Sequence, residues 1–296
     1  MSDLHELKQT IDKYDLRPAK SLGQNFLTDE TTLGRIAGSL DAGENDLVIE
    51  IGPGTGALTS FFAGKVRKTV LIEIDRHLIP VLEDRYSRSP GTEIIHADAT
   101  RTDLSAICLN FIESGPANGK LKLISNVPYY ITTQLIQQFV SVIPPFDVIV
   151  VTVQKEAAQR IMSGPNEEGY GILPVLADFL FDVKVTERIP SHCFYPQPGV
   201  ESAVMVLTRK RGIELSKNEI KGFTGFLRII FGQRRKKMSN LLKNISGLSD
   251  ALPEIIRIIE NEGYKDTVRA QEIKPAALWK IYRRIMKQID DQDMLL

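Results

Sequence analysis

The chain has 296 residues, of which 43% are apolar, enough for one large hydrophobic core or two unequal ones. It contains no run of 18 apolar residues, and its charged first 20 residues lack the apolar stretch of a signal peptide, so neither a membrane span nor secretion is predicted. Two cysteines and four scattered histidines give no disulfide framework and no metal-ligand spacing, which favours a cytoplasmic protein without a metal ion.

The formal net charge of zero conceals an uneven distribution. Residues 1–208 carry 18 Lys and Arg against 26 Asp and Glu, whereas residues 209–244 carry 11 against 2. A strongly basic block beside an acidic region predicts a localised contact with a polyanion.

Apolar strands and amphipathic helices alternate between residues 46 and 209. The predicted strands cover 46–52, 68–75, 92–98, 121–125 and 146–153, and helical patterns cover 58–63, 78–86 and 134–142. Buried strands separated by helices predict an α/β fold with a mostly parallel sheet covered on both faces. Two later runs, "DVKVTERI" and "SAVMVLTR", are expected to close this sheet as a hairpin-like pair.

After residue 209 the spacing of apolar residues becomes helical. The segments "KNEIKGFTGFLRIIFG", "SNLLKNI", "PEIIRIIENEG" and "PAALWKIYRRIMKQI" each favour an amphipathic helix. We therefore expect an α/β domain over residues 1–208 and a smaller all-α domain over residues 209–296.

The first predicted strand leads into "EIGPGTGALT", a glycine-rich turn. Gly52, Gly54 and Gly56 would let the backbone come close to a ligand. The second strand ends at Glu73, where an acid of a doubly wound fold hydrogen-bonds the hydroxyls of a ribose. Two alternatives stay open here. The turn satisfies the loose dinucleotide fingerprint of nicotinamide oxidoreductases, and it could also serve only to pack strand against helix.

The third predicted strand ends at Asp98, on the same carboxyl edge of the sheet. Its carboxylate could accept a hydrogen bond from the amine of a bound adenine, although capping a helix or turn is the commoner role of such a residue. Ligands of open α/β sheets lie outside the carboxyl ends of the strands. The glycine turn and the two strand-end acids together are therefore typical of a site for an adenosine-containing cofactor.

The fourth predicted strand is followed by "SNVPYY". The Asn126 side-chain oxygen and the Val127 carbonyl, held extended by Pro128, can accept both N–H groups of an adenine amine. Two such acceptors favour a pyramidal nitrogen whose lone pair points at a sulfonium methyl group, and alignment would supply most of the catalysis. Tyr129 offers a ring for base stacking, worth about 1–3 kcal/mol. The alternative is a proline-directed loop with a capping asparagine and a core tyrosine.

Six motifs, in their order and spacing, resemble the ribosomal RNA adenine dimethyltransferases: "SLGQNFLTD", "EIGPGTGALT", "LIEID", "HADAT", "NVPYYIT" and "FYPQPGVES". The resemblance covers residues 17–245, is specific as a set, and is closest to the enzymes that dimethylate two adjacent adenosines near the 3′ end of small-subunit RNA. It implies a Rossmann-like, seven-strand class I methyltransferase sheet, a helical C-terminal domain and S-adenosylmethionine as methyl donor.

The resemblance also implies roles for residues of the N-terminal segment and the glycine turn. Asn25 and Leu27 would close over the methionine part of the cofactor, and Gly52 would approach it by its backbone, with Gly54 in the same turn. Glu73 would take the ribose hydroxyls.

Further roles concern the target base. Asn126 would face both cofactor and target, and Phe194 would stack on the base opposite Tyr129. Two positions depart from the family pattern. Val127 stands where leucine is usual, which leaves the required backbone carbonyl in place. Gly199 stands where lysine is common, which puts one RNA phosphate contact in doubt.

Four consecutive cations in "FGQRRKKMSNLLKN" match an Arg/Lys stretch of the family. They are expected to bind the RNA backbone rather than to read bases, the alternative being a solvated charged face. These residues are Arg234, Arg235, Lys236 and Lys237.

The resulting hypothesis is a monomeric enzyme that dimethylates two adjacent adenosines in a 3′-terminal hairpin loop of small-subunit ribosomal RNA, within a pre-ribosomal particle. Three alternatives stay open: a large-subunit RNA adenine methyltransferase that confers antibiotic resistance, a non-catalytic RNA-binding assembly or transcription factor on the same fold, and a nicotinamide oxidoreductase. The intact Asn126 and Tyr129 argue against the second, and the third is supported by the glycine turn alone.

Overall fold

The computed structural model describes residues 3–19, 22–243 and 252–293. The chain forms two compact units. Unit 1 comprises Met1–Ala158 and Phe181–Arg211, and unit 2 comprises Gln159–Leu180 and Gly212–Leu296. This division differs from a single boundary at residue 208, because residues 159–180 pack with the C-terminal helices instead of with the sheet.

Unit 1 is built on a seven-stranded sheet. Its strands and the two strands of a separate short pair are β1 (Phe26–Leu27), β2 (Leu47–Ile51), β3 (Lys68–Glu73), β4 (Thr92–His96), β5 (Leu121–Asn126), β6 (Val148–Gln154), β7 (Phe181–Ile189), β8 (Phe194–Tyr195) and β9 (Ser202–Arg209). The sheet order is β4-β3-β2-β5-β6-β9-β7, and β1 pairs with β8. The strands from β4 to β6 are parallel, and β9 and β7 are antiparallel. The predicted sheet and its closing pair are confirmed.

The helices of the first part of the chain are α1 (Asp3–Lys13), α2 (Glu30–Gly38), α3 (Ile79–Tyr86), α4 (Leu104–Ser114), α5 (Thr132–Val140) and α6 (Lys155–Ile161). Aspartate side chains cap α2 and α4: Asp29 accepts from the Thr32 amide and Asp103 from the Ala106 amide. The predicted helix over 58–63 is wrong, since only Thr59–Phe61 forms a 3₁₀ turn. Six residues give fewer than two helical turns, too few to be stable by themselves.

The centre of the sheet is apolar and is covered by helices. Every residue of β2 is buried, and α5 buries Leu135, Ile136, Phe139 and Val140. Strands β2 and β5 are neighbours although two strands separate them in the chain, so the strand order reverses between them. A crevice for a ligand is expected at the carboxyl ends of these strands.

The opposite, amino-terminal edge of β2 and β5 holds a buried ion pair. Lys122 Nζ lies 2.9 Å from Asp46 Oδ2, with side-chain exposures of 2% and 6%, and it also donates to the Asp41 carbonyl. Asp46 accepts further bonds from the amides of Gly43 and Lys120. Burial favours the neutral carboxyl, but these amides and the Lys122 ammonium together lower the pKa of Asp46. The ammonium thus has two acceptors, and both oxygens of the Asp46 carboxylate accept hydrogen bonds.

Unit 2 is helical. Its further helices are α7 (Ile172–Leu180), α8 (Lys217–Phe231), α9 (Met238–Leu242), α10 (Leu252–Asn261) and α11 (Pro275–Asp293). An aromatic cluster joins α7, α8 and α11 through Phe179, Phe223, Phe226, Trp279 and Tyr282.

The inserted segment 159–180 is also tied to unit 2 by a hydrogen bond, in which the Tyr170 hydroxyl donates to the Ile273 carbonyl at 2.7 Å. The predicted helix over 239–245 can be compared only to residue 243, since residues 244 and 245 lie outside the described residues. No helix within the described ranges is long and apolar enough to cross a membrane.

Candidate active site

A cavity of about 260 Å³ opens at the carboxyl ends of β2, β3 and β5. It brings together the residues predicted to bind cofactor or target base except Gly56, which packs against the Tyr86 ring, and Phe194. Those that line it are Asn25, Leu27, Gly52, Gly54, Glu73, Asp98, Asn126, Val127, Pro128 and Tyr129.

The glycine turn gives the cavity a backbone wall. Gly52 adopts φ +66, and no atom lies within 4 Å of the position that a Cβ would take there. Gly54 adopts φ +61, and a Cβ there would come within 3.0 Å of the Phe26 ring. Both positions therefore require glycine, and only Gly52 leaves open space in which a ligand can approach the backbone.

Glu73 is held firmly at the end of β3. The residue is only 4% exposed, and its two carboxylate oxygens accept from the amides of Asp75 at 2.9 Å and Gly54 at 3.1 Å. Burial raises the pKa of Glu73 in spite of these bonds. The predicted ribose contact requires a carboxylate fixed in this way.

Glu50, on β2, also lines the cavity and was not predicted. It is 2% exposed and accepts from the Thr59 hydroxyl at 2.6 Å. Burial raises its pKa to about 8, with Glu73 adding to the effect and Thr59 opposing it. The signal was available as a charged residue within the apolar run "LVIEI". Burial thus disfavours the charged form of both acids.

Asp98 has the capping role weighed for it on the sequence. Its Oδ1 accepts from the Thr100 amide at 2.9 Å and the Thr100 hydroxyl at 2.7 Å, which caps the 3₁₀ turn Ala99–Arg101. The residue also lines the cavity. A contact with an adenine amine stays a prediction.

Among the described residues, no group of three or more His, Cys, Asp or Glu could hold a metal ion.

The turn after β5 presents two acceptors. Asn126 Nδ2 donates to the Asn25 carbonyl at 2.9 Å, and this bond fixes the amide with Oδ1 as its remaining acceptor. The Val127 amide donates to the Thr152 carbonyl at 3.0 Å. Within the described ranges, neither Asn126 Oδ1 nor the Val127 carbonyl accepts a hydrogen bond, whereas the Pro128 carbonyl is used inside the turn.

Two tyrosines follow these acceptors. Tyr129 is partly buried, its hydroxyl lies 2.8 Å from Ser202 Oγ, and burial raises its pKa. Tyr130, which was not predicted as a site residue, also lines the cavity and is 59% exposed. Its ring lies against Gly23, where a Cβ would come within 3.3 Å. An exposed aromatic face thus stands at the mouth of the cavity.

Phe194 differs from the prediction. It is 3% exposed, does not line the cavity, and belongs to a core cluster that includes Leu33 and Val204. The pairing of β1 with β8 places it opposite Leu27. In this conformation core side chains cover the ring, so it offers no stacking face opposite Tyr129.

The four predicted RNA-binding cations are not equivalent. They lie on the turn between α8 and α9, directly before α9 begins at Met238. Arg234 is half-buried and donates to the carbonyls of Glu168 at 2.9 Å and Glu167 at 3.4 Å. Its guanidinium is therefore used inside unit 2. The other three are exposed: Arg235, Lys236 and Lys237.

The sequence and fold were compared with known proteins. Residues 16–277 match the family model described as "Ribosomal RNA adenine dimethylase". A relative from Natranaerobius thermophilus, named "Ribosomal RNA small subunit methyltransferase A", is 33% identical over 294 residues, covering 96% of this chain and 97% of the relative. A protein of the same name from Ligilactobacillus salivarius is 37% identical over 267 residues, covering 90% and 89%.

Two solved structures share the fold. A dimethyladenosine transferase from Plasmodium falciparum matches with a TM-score of 0.71 and 22% identity, covering 87% of this chain and 96% of that one. The 23S rRNA methyltransferase ErmE matches with a TM-score of 0.63 and 22% identity, covering 88% and 100%. At these identities the likeness concerns the fold alone.

Proposed function

This chain belongs to the ribosomal RNA adenine dimethylase family, and from this premise we propose that it dimethylates the exocyclic amine of adenosine in small-subunit ribosomal RNA. The resemblance carried by the six motifs is confirmed. The family uses S-adenosylmethionine as methyl donor, so the alternative of a nicotinamide oxidoreductase was wrong. The observation that carries the proposal is a pair of acceptors, Asn126 Oδ1 and the Val127 carbonyl, that accept no hydrogen bond within the described part of the chain and lie beside a cavity lined by buried acids.

The residues present fit S-adenosylmethionine. Open space at Gly52 accommodates a ligand against the backbone, and Glu50 and Glu73 suit a molecule that carries sulfonium and ammonium charges. Glu73 would hold the ribose, Asp98 the adenine, and Asn25 and Leu27 the methionine part. When bound, the cofactor supplies a sulfonium-linked methyl group as the electrophile.

The chain itself positions the nucleophile. Asn126 Oδ1 and the Val127 carbonyl accept hydrogen bonds from the two N–H groups of the target amine and so orient its lone pair. The ring of Tyr129 stacks on the base. Each methylation requires the amine to lose one proton to solvent during or after transfer, so a single N–H remains after the first, and one acceptor still binds it. The dimethylated product has no N–H left, so both bonds are lost and the product is released.

Finer features belong to the same proposal. The substrate is a pair of adjacent adenosines in a 3′-terminal hairpin loop, where extruding a base costs least. Arg235, Lys236 and Lys237 in the helical unit bind phosphates, and their exposure supports this role. The enzyme acts as a monomer on RNA within a pre-ribosomal particle in the cytoplasm.

The rival target is large-subunit RNA. The fold match with ErmE does not favour it, since the match is at 22% identity, whereas the relatives at 33% and 37% identity are named for the small subunit. A non-catalytic factor is disfavoured by the free acceptors of Asn126 and Val127.

The test is transfer of radiolabelled methyl groups from S-adenosylmethionine to unmethylated small or large ribosomal subunits, with the product mapped by primer extension. We expect label only in small subunits, at two adjacent adenosines. Label confined to large subunits would favour the rival target. No label in either, with the RNA bound, would leave a non-catalytic factor.

A further inference from the structure

Gln24 joins the N-terminal segment to the cofactor end of the cavity. Its Nε2 donates to Asp75 Oδ2 at 2.7 Å, and its Oε1 accepts from the Ala19 amide at 2.8 Å. Both ends of one side-chain amide are therefore used, and the two partners lie on different segments, one before β1 and one after β3.

The contact continues to the predicted ribose ligand. The Asp75 amide donates to Glu73 Oε1 at 2.9 Å, and Asp75 Oδ1 accepts from the His77 amide at 3.0 Å. Gln24 therefore restrains Asp75, and the Asp75 amide in turn holds the Glu73 carboxylate. Two hydrogen bonds thus link Gln24 to Glu73 through Asp75.

The next residue in the chain makes the matching contact on the other side of the cavity. The Asn25 carbonyl accepts from Asn126 Nδ2 at 2.9 Å, the bond that leaves Asn126 Oδ1 free. A shift of residue 24 would be transmitted directly to this carbonyl. Adjacent residues therefore fix the cofactor end and the target end of one cavity.

Gln24 also separates two spaces. It lines the 260 Å³ cavity and a second cavity of about 530 Å³, whose wall includes Arg17, Arg76 and His77. The side chain of Gln24 therefore contributes to the wall of both cavities.

We propose that Gln24 is a positioning residue for the cofactor: through Asp75 it holds residues 22–27 over the cavity and so sets both Glu73 and Asn126. The inference rests on the proposed function, because it takes S-adenosylmethionine as the occupant of the cavity.

The experiment compares Gln24→Glu, Gln24→Leu, Asp75→Asn and the double variant Gln24→Glu/Asp75→Asn. Glutamate at position 24 still accepts from Ala19 but cannot donate to Asp75, and it faces a like charge. In the double variant the new amide at position 75 can donate to the new carboxylate at position 24, which restores both bonds. Gln9→Glu, on the exposed face of α1, is the control for an added charge.

The readouts are the S-adenosylmethionine Kd by calorimetry, RNA affinity without cofactor, the thermal midpoint, and hydrogen exchange at the Ala19 amide. We expect Gln24→Glu and Gln24→Leu to weaken cofactor binding about tenfold or more, since a hydrogen bond to a charged group is lost. RNA affinity should be unchanged, and the double variant should return to within about threefold of wild type. Ala19 exchange should rise in Gln24→Leu and fall again in the double variant.

Wild-type cofactor affinity in Gln24→Glu and Gln24→Leu would overturn the inference, and so would a double variant as weak as Gln24→Glu with a normal thermal midpoint. If a substitution lowers the midpoint, Ala19 exchange in the cofactor-free protein decides instead: wild-type exchange in Gln24→Leu overturns the inference. Failure of the wild-type protein to bind S-adenosylmethionine would be a separate result, and it would count against the proposed function.

Discussion

The pKa values of buried carboxyl groups shift in opposite directions at the two ends of the sheet around strand β2. At the amino end, Asp46 has a lowered pKa because amides and the Lys122 ammonium outweigh its burial. At the carboxyl end, Glu50 has its pKa raised to about 8 and Glu73 has a raised pKa, because burial is not offset by a cation. The same sheet thus carries one acid whose partner is built in and two whose partner must come from outside.

The paired carboxylate at the amino end bears on stability, whereas the carboxyl groups at the other end bear on ligand binding. A buried charge with its partner contributes to a defined fold, although the pair itself adds little net free energy. A buried acid without a cation costs free energy in the empty protein and returns it when a cationic ligand binds. Under the proposed function, the carboxyl end gives up stability in favour of ligand binding, and the amino end does not.

The largest effect is expected from breaking the amino-end pair. Lys122→Ala leaves Asp46 buried without its cation and should lower the free energy of unfolding by about 3–5 kcal/mol, measured in urea. Cofactor affinity of the folded fraction should be unchanged. Lys120→Ala, a neighbouring lysine that offers its amide rather than its ammonium to Asp46, is the control. Equal stability of the two variants would contradict the comparison.

At the carboxyl end, the corresponding change should affect catalysis and not folding. Asn126→Ala removes one of the two acceptors, and methyl transfer should fall about 10²–10³-fold, by analogy with removal of one group that stabilises a transition state. RNA affinity and the urea midpoint should stay near wild type. A loss of RNA binding equal to the loss of rate would show that Asn126 acts in binding alone.

The raised pKa of Glu50 makes the free energy of unfolding depend on pH. The folded protein holds this proton up to about pH 8, while the unfolded chain releases it near the ordinary value of 4.5. Unfolding therefore releases a proton between these pH values, and the contribution of Glu50 to stability falls as pH rises. Glu50→Gln should gain stability relative to wild type from pH 5 to 8, reaching about 2–4 kcal/mol. A difference that is constant with pH would show that Glu50 is ionised in the fold.

The smallest effect per residue is expected in the helical unit. Replacing Arg235, Lys236 and Lys237 with Gln should reduce the salt dependence of RNA binding by about 0.7 per phosphate contact in log–log slope. Arg234→Gln is the matched variant of the internal cation. It should lower the thermal midpoint and leave the slope unchanged, because its guanidinium is bonded to backbone carbonyls. An unchanged slope in the triple variant would identify a solvated face.

Long, regular elements were predictable from the sequence. The five parallel strands follow from apolar runs, because parallel strands lie inside a sheet covered by helices, and the antiparallel closing pair follows from two β-rich runs, of which β7 is largely exposed. The β1–β8 pair was missed because two residues carry no period, and the two strands are far apart in the chain. The insertion of residues 159–180 into unit 2 was missed for a related reason, since periodicity predicts a helix but not its neighbours.

Site residues followed the same rule. Strand-end residues such as Glu73 and Asn126 were predictable because the topology brings strand ends together. Phe194 was assigned as a stacking ring and Arg234 as an RNA-binding cation. The sequence does not show that Phe194 is buried or that the Arg234 guanidinium donates to a backbone carbonyl. Glu50 and Lys122 are each a charged residue within an apolar run. Such a residue predicts a buried charge with a partner, but the sequence does not show which group the partner is.

The discontinuous make-up of unit 2 bears on how the chain is synthesised. Helix α7 buries Leu173, Val175 and Leu176 against a unit whose aromatic partners include Phe223 and Trp279. About 100 residues must be translated after α7 before Trp279 is made, which takes about 5–20 s at bacterial rates. Phe223 is made partway through that interval, so α7 lacks both aromatic partners at first and lacks Trp279 until its end, and its apolar face is meanwhile open to chaperones or to other nascent polypeptides. Slowing the translating ribosome downstream of codon 180 should therefore increase aggregation more than slowing it upstream.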